Sequence, residues 1–492
     1  MTYRESDDRI VPLSLEDQSS DLNSGNADAG KAIKNLRDQD RALPVLRDGS
    51  TVITRLDRIS HRASSQGDAV FNNLFSLITE ELLWEAWFGL KGGKAPGIDG
   101  VTLEDYGEQL RKNLQDLLEC LHRGSYYPKP SLRKLIPKGN GKTRPLGIAS
   151  LEDKLVQRAL VLILERIYEV DFYDTSFGYR PGKSCHEALA VLGGIIATRK
   201  VNFVSDADIK GFFDNVCHDR LEEFLRIRIG DPKLLRLIRR FLKAGVMVDG
   251  QLQATNEGVP QGASLSPLLA NVYLHYVLDQ WFDRDVKPRM KGECYLIRFA
   301  DDFICCFQDY RDAQRYQAVL PKRLGRFSLE VAEDKTKLIR FGRFAREDRS
   351  SAGAPETFDF LGFTHYCGLS RAGKFKLKRK TSGKKMRVKL REIRVWFYHQ
   401  LSTAVGEMWK TLNAKLRGHY QYYGINDNWP MLMAYRNKVR VMAKRHLSRR
   451  SQNSYVSWGD FNRFTDLHPL ASPKGLKDLI AFNRKILSER GK

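Results

Sequence analysis

Residues 294–307 read "CYLIRFADDFICCF", and two adjacent aspartates, Asp301 and Asp302, interrupt a run that is otherwise almost wholly apolar and aromatic. Tyr295, Ile297 and Phe299 alternate before the pair, and Phe303, Cys305 and Phe307 alternate after it. This predicts a tight hairpin between two largely buried strands. Two ionised carboxylates at such a tip repel each other and lose hydration unless a cation sits between them. A second acidic stretch, "NFVSDADIKGFFDNV", sets Asp206 and Asp208 two apart at the end of a β-like run, so that both face the same way. Together these acids offer hard oxygen ligands for a pair of Mg²⁺ ions, which favour carboxylates and substrate phosphates. Two such ions can activate a 3′-hydroxyl and stabilise a leaving pyrophosphate in an in-line displacement. Two unrelated Asp-rich surface turns are the alternative that the acids alone leave open.

The elements that must position these groups form a recognisable pattern. "LRKLIPKGNGKTRPLGI" predicts two short strands joined by a Gly/Asn turn, and "LEDKLVQRALVLILERIYEV" an amphipathic helix. Helical patterns begin between Thr54 and Leu90, the glycines of "KGGKAPGIDG" interrupt them, and strands and helices alternate to about residue 380. An α+β domain is expected. After "RAGKFKLKRKTSGKK", the residues Met386, Leu390, Ile393, Phe397, Leu401 and Ala404 recur at three- and four-residue steps, which predicts a long helix. Residues 1 to 50 have too little apolar content for a core, so a flexible leader is expected there.

At 492 residues the chain has room for two or three domains, and its 42% hydrophobic and 29% charged residues suit a globular protein. No apolar run approaches the roughly 20 residues that span a bilayer, and the start "MTYRESDDRI" lacks the apolar core of a secretory signal, so a cytoplasmic protein is expected. The seven cysteines show no C-x-x-C pair, which points to reduced core thiols and away from a disulfide framework or a zinc finger. Net charge is +23, and it is concentrated: Arg371 to Arg450 carries 22 Lys and Arg against 3 Asp and Glu, a net +19. Trp396, Phe397, Tyr398, Trp409, Tyr420, Tyr422 and Tyr423 lie among those cations. The mixture suits phosphate contacts and base stacking, so nucleic acid is the expected partner.

The ordered set "DIKGFFD", "GVPQGASLSPLLANVYLHYVLD" and "RFADDF" resembles the palm motifs of reverse transcriptases. "KAPGIDGVT", "GYRPGKSCHEAL" and "FDFLGF" are similar to the bacterial group II intron subclass, and "LNAKLRGHYQYYGI" resembles its maturase, or X, domain. The resemblance implies a right-hand polymerase, with fingers and palm at 51–380, an α-helical thumb or X domain at 381–460, and a short C-terminal tail at 461–492. By the same resemblance Asp208, Asp301 and Asp302 are the catalytic metal ligands, with Asp206 and Asp214 as local rivals to Asp208. Phe213, five residues after Asp208, is the aromatic that blocks a nucleotide's 2′-hydroxyl. Gly258 to Pro267 supports the incoming dNTP, with Gln261 as its polar contact. Lys138 and Arg144, six apart across "KGNGKTR", are brought by the turn toward one triphosphate. Lys335 is a candidate for protonating pyrophosphate, and "FDFLGF" for steadying the primer end. In the basic segment, Lys384, Lys385, Arg387, Lys415 and Arg417 are the expected RNA contacts.

The implied activity is RNA-templated DNA synthesis with two Mg²⁺ ions, with intron RNA as a bound partner and template, DNA as primer and target, and a role in splicing and mobility. The family's usual tyrosine before "ADD" is Phe299 here, which bears on fidelity or processivity. Beyond Trp458 there are neither the Cys pairs nor the His cluster of an appended endonuclease, so second-strand cleavage is not expected of this chain. Two rival functions fit the same motifs: a host-adopted relative in DNA repair or phage defence, and a non-catalytic RNA-binding maturase.

Overall fold

Ser150 accepts a hydrogen bond from the Asp153 amide and so starts the Leu151–Asp171 helix. One broad apolar face of that helix carries Leu155, Val156, Ala159, Leu160, Ile163, Leu164 and Ile167, all wholly buried. Lys154, Arg158, Glu165 and Glu169 line a half-buried polar stripe, as an amphipathic helix at the edge of a core requires. It packs against the Val52–Ser65 and Glu80–Phe88 helices, each capped by a threonine, Thr51 and Thr79. The computed structural model describes residues 51–90, 92–137, 143–346, 356–370, 372–450 and 455–490. The expected leader, residues 1 to 50, lies outside them.

The strands among the described residues, in chain order, are β1 (Ser131–Pro137), β2 (Thr143–Ile148), β3 (Phe203–Ala207), β4 (Val246–Val248), β5 (Gln251–Gln253), β6 (Cys294–Phe299), β7 (Asp302–Phe307), β8 (Lys337–Arg340), β9 (Phe358–Phe360), β10 (Phe363–Leu369) and β11 (Phe375–Thr381). They build three sheets, ordered β2-β1-β4-β5, β6-β7-β3-β8 and β11-β10-β9. After Thr381 the described elements are helices, so the fold is mixed α and β with a helical C-terminal part.

The chain forms two compact units that interleave along the sequence. One gathers residues up to Pro181, Ile209–Val286 and Val319–Ala332, and the other gathers Gly182–Asp208, Lys287–Ala318 and everything from Glu333 on. The first holds the β2-β1-β4-β5 sheet and the Leu151–Asp171 helix. The second holds the other two sheets, the Cys185–Thr198 helix and the basic helices.

In the second unit the Cys185–Thr198 helix packs on β6, on β11 and on a Leu479–Arg490 helix. Gly194 allows that last contact, since a Cβ there would stand 2.2 Å from Asn483 Nδ2. Residues 461–490, expected as a trailing tail, thus carry most of a Trp458–Leu467 helix and the docked Leu479–Arg490 helix. The predicted long helix from Met386 stops at Tyr398, and Leu401 is exposed beyond it. Of the cysteines, Cys294, Cys305 and Cys306 are core thiols, whereas Cys120 is exposed.

Candidate active site

The β6 to β7 hairpin is present, and its flanking strands are buried. Alternation fails in β7, where every residue from Phe303 to Phe307 is buried, because β7 is an inner strand of its sheet. β3 and β7 pair antiparallel with Asp206 opposite Ile304 and Ala207 opposite Phe303. Carried one residue further, this register sets Asp208, just past β3, opposite Asp302, the first residue of β7. Asp301 stands in the turn beside Ala300, whose φ of +57° is strained for a residue with a Cβ. The turn is held from within: fully buried Arg298 donates to the Ala300 carbonyl at 3.0 Å.

The electrostatics of this end of the sheet are dominated by excess negative charge. Desolvation by surrounding protein and the charges of Asp301 and Asp208 push the Asp302 carboxyl up to about 7, with Lys335 and Lys385 opposing. Solvent reaches Asp302, so the repulsion is the persistent part of that shift, and it is the part a bound cation relieves. Burial and the charges of Asp302, Asp208 and Asp359 push Asp206 up to about 7 as well, with Lys337 opposing. Asp208 is ion-paired to Lys335 Nζ, and that hydrogen bond raises the ammonium's pKa.

Among the described residues no three ligand-type side chains converge on one point. Mg²⁺ does not require such a cage, since it is held by one or two carboxylates plus waters and substrate phosphates. Hard, mutually repelling oxygens at Asp208, Asp301 and Asp302 fit that mode, and Lys335 meanwhile supplies positive charge to Asp208.

A second constellation forms in the other unit. Arg144, on β2, donates from Nε to Gln261 Oε1 at 2.6 Å, and Gln261 Nε2 lies 3.5 Å from Asp214 Oδ1. The main chain fixes the loop that carries Gln261: Gly147 N donates to Gln261 O at 2.7 Å, and Val259 N to Phe213 O at 2.7 Å. Gly258, at φ +84°, runs so close that a Cβ would meet the Asp214 carbonyl at 2.8 Å. Phe213 is buried, in edge-to-face contact with Phe212 and Tyr179. Arg144, Gln261 and Phe213 are thus brought together, with Asp214 as a partner of Gln261. Lys138 lies outside the described residues.

Lys384, Lys385 and Arg387 are exposed in the first turns of the Gly383–Tyr398 helix while Met386 is buried beneath them. Cations at a helix N-terminus oppose the helix dipole, so local helix energetics do not explain them. Lys415 and Arg417 are exposed on the Val405–Tyr423 helix, with Lys415 Nζ 5.5 Å from the Trp396 ring centre. The interleaved aromatics correct the stacking expectation. Tyr398 is exposed, but Phe397, Trp409, Tyr420 and Tyr423 are core. Tyr422 donates to the Leu361 carbonyl at 2.9 Å, and Tyr423 packs on Phe363. These tyrosines seat the β9 to β10 hairpin, the "FDFLGF" segment, because large rings gain more from burial than from exposure.

Sequence reasoning passed over two features of the acidic site. Asp359, on β9, accepts from Ser382 Oγ at 2.8 Å and adds to the charge on Asp206. Lys385, grouped with RNA contacts, acts electrostatically on Asp302. Only the fold brings residues this distant in the chain together; the motif "FDF" gave a signal for Asp359, and nothing local gave one for Lys385.

Residues 136–365 match the reverse transcriptase (RNA-dependent DNA polymerase) family. That range contains both constellations, and it defines the class as a reverse transcriptase domain. Group II intron-encoded protein LtrA of Lactococcus lactis is 39% identical over 253 residues, covering 48% of this chain and 41% of LtrA. Protein YkfC of Escherichia coli K12 is 37% identical over 325 residues, 58% of this chain and 84% of YkfC. Nuclear intron maturase 2 of Arabidopsis thaliana is 27% identical over 175 residues, 28% of this chain and 24% of that protein. The chain belongs to the group II intron family of reverse transcriptases and maturases.

Proposed function

We propose that this protein is an RNA-directed DNA polymerase of the group II intron type, which also binds its intron RNA and assists splicing and mobility. The observation that carries the polymerase reading is the crowding of Asp208, Asp301, Asp302 and Asp206 at one sheet end, where desolvation and then their mutual charge push two carboxyls up to about 7. Structural ion pairs do not concentrate like charge in this way, whereas sites for polyphosphate chemistry do. In this reading residues 51–380 are fingers and palm, 381–460 are thumb or X domain, and the protein works in the bacterial cytoplasm. No helix among the described residues is long and apolar enough to cross a membrane.

The roles follow from chemistry. Asp208, Asp301 and Asp302 hold two Mg²⁺ ions, which when bound supply Lewis-acid activation of the primer hydroxyl and charge neutralisation at the phosphates. Arg144 and Gln261, already joined and oriented, bind the dNTP, with Lys138 as a further triphosphate contact. Phe213 presses on the sugar and excludes a 2′-hydroxyl. Lys335 moves its charge from Asp208 to the pyrophosphate and gives it a proton. Lys384, Arg387, Lys415 and Arg417 contact RNA phosphates, and Lys385 serves both RNA and the acidic site.

Primer extension by the purified protein on an RNA template tests this. The wild type extends a DNA primer with dNTPs, and Asp301→Asn, nearly isosteric but one charge short, loses several orders of magnitude in rate. RNA retention on filters changes little. Equal synthesis by both proteins would remove the catalytic assignment.

A further inference from the structure

Tyr179 is the residue that local rules explain least. It sits at φ +59°, in the left-handed region that a bulky side chain rarely enters. Its neighbours impose that conformation. On one side Asn271, itself buried, donates from Nδ2 to the Gly178 carbonyl at 2.7 Å. On the other, buried Arg180 pairs with Glu169 at 3.0 Å and donates to the Tyr173 and Ser176 carbonyls, each at 2.7 Å. A backbone pinned on both sides keeps a strained residue in place. Glycine would meet the same demand without strain. Burial does not compensate for the tyrosine either, because the residue is 48% exposed.

What the ring does touch is Phe213. The two rings stand at 84° with centroids 6.4 Å apart, an edge-to-face pair. Phe212, a core ring, also stands against Phe213, at 5.3 Å. Phe213 is therefore held between a core ring and a half-exposed one. We infer that Tyr179 is a second specificity-determining residue, a positioning residue that fixes the Phe213 ring and closes the sugar pocket of the incoming nucleotide against a 2′-hydroxyl. The inference rests on the polymerase reading and on Phe213 as its sugar contact. Strain at Tyr179 is retained because a glycine there would leave the Phe213 ring free to yield.

The test is single-nucleotide incorporation on an RNA template, with matched dNTP and rNTP, by the full chain and its variants. Tyr179→Gly removes the ring and relieves the backbone, so its melting temperature stays at or above that of the wild type while the rNTP/dNTP ratio of kcat/KM rises about tenfold. Tyr179→Phe keeps the ring and keeps the wild-type ratio, which a role for the hydroxyl would not allow. Tyr179→Asn, also tolerant of the left-handed region, repeats the glycine result should the glycine protein melt below the assay temperature. Combining Tyr179→Gly with Phe213→Val adds little to Phe213→Val alone, since both act through one contact. A folded glycine or asparagine variant with an unchanged ratio overturns the inference while leaving the polymerase reading intact. A wild type that incorporates no nucleotide overturns both.

Discussion

The acidic sheet end and the Arg144 to Gln261 loop are built on opposite principles. In the loop, polar groups answer one another: a guanidinium meets an amide oxygen, the amide nitrogen faces Asp214, and main-chain hydrogen bonds fix the loop from both ends. Such a network is rigid before any ligand arrives, and it selects by shape and direction. At the sheet end, four aspartates outnumber the lysines near them, and two carboxyls are held near 7 by desolvation and one another's charge. In the polymerase reading, added cations complete that region. Under the proposed function, the contrast separates an ion site, marked by unrelieved like charge, from a substrate site, marked by a satisfied network.

The strongest way to break this contrast is to neutralise the crowded site. Asp302→Asn is expected to lower DNA synthesis by several orders of magnitude and at the same time to raise the melting temperature of the Mg²⁺-free protein, because it removes a repelled charge. A fall in metal-free stability would mean that the cluster is not electrostatically frustrated. Gln261→Ala is expected to do the reverse. It strips the partner from Arg144 and Asp214, so stability falls and KM for dNTP rises roughly tenfold, with a smaller change in kcat. An unaltered KM in steady-state extension would remove Gln261 from the nucleotide contacts.

A smaller effect separates the cations of the Gly383–Tyr398 helix. Charge reversal at Lys384 and Arg387 should flatten the salt dependence of RNA binding by roughly one unit of log–log slope for each phosphate no longer neutralised, and leave extension of a short primer-template largely intact. Reversal at Lys385 should impair extension as well, because that lysine acts on Asp302. Three identical phenotypes would show that Lys385 has no part in the acidic site.

The smallest effect is the pH dependence of stability. Asp206 and Asp302 have folded pKa values of about 7, above the unfolded carboxylate value of about 3.9. The favourable protonated form is fully present below pH 4 and is lost as pH rises through 7, so these two groups make the metal-free protein less stable at pH 8 than at pH 5.5. Mg²⁺ should raise the melting temperature at pH 8 and do little at pH 5.5, where protons occupy the carboxyls. Equal Mg²⁺ stabilisation at both values in calorimetry would rule out competition between proton and metal.

The hairpin that carries the acids was readable from short-range pattern alone, because strand alternation and a two-residue turn are local properties: "RFADDF" predicted it, and β6 and β7 form it with Asp301 in the turn and Asp302 opening β7. The basic segment was readable as charge but not as surface. Composition counts Trp409, Tyr420 and Tyr423 beside the lysines, and only packing decides that those rings turn inward to seat helices and a hairpin. The same limit applies to Lys385 and Asp359, which reach the carboxylates through sheet register and helix placement, and to the Leu479–Arg490 helix, which finds its partner hundreds of positions earlier in the Cys185–Thr198 helix. By itself, then, the sequence determined which groups can do chemistry and which local elements present them, since residue type and spacing of a few positions suffice for that. Tertiary structure alone decided which charges confront one another, which aromatics are buried, and that Tyr179 must stand in a left-handed conformation beside Phe213, because each of these depends on contacts between residues tens to hundreds of positions apart.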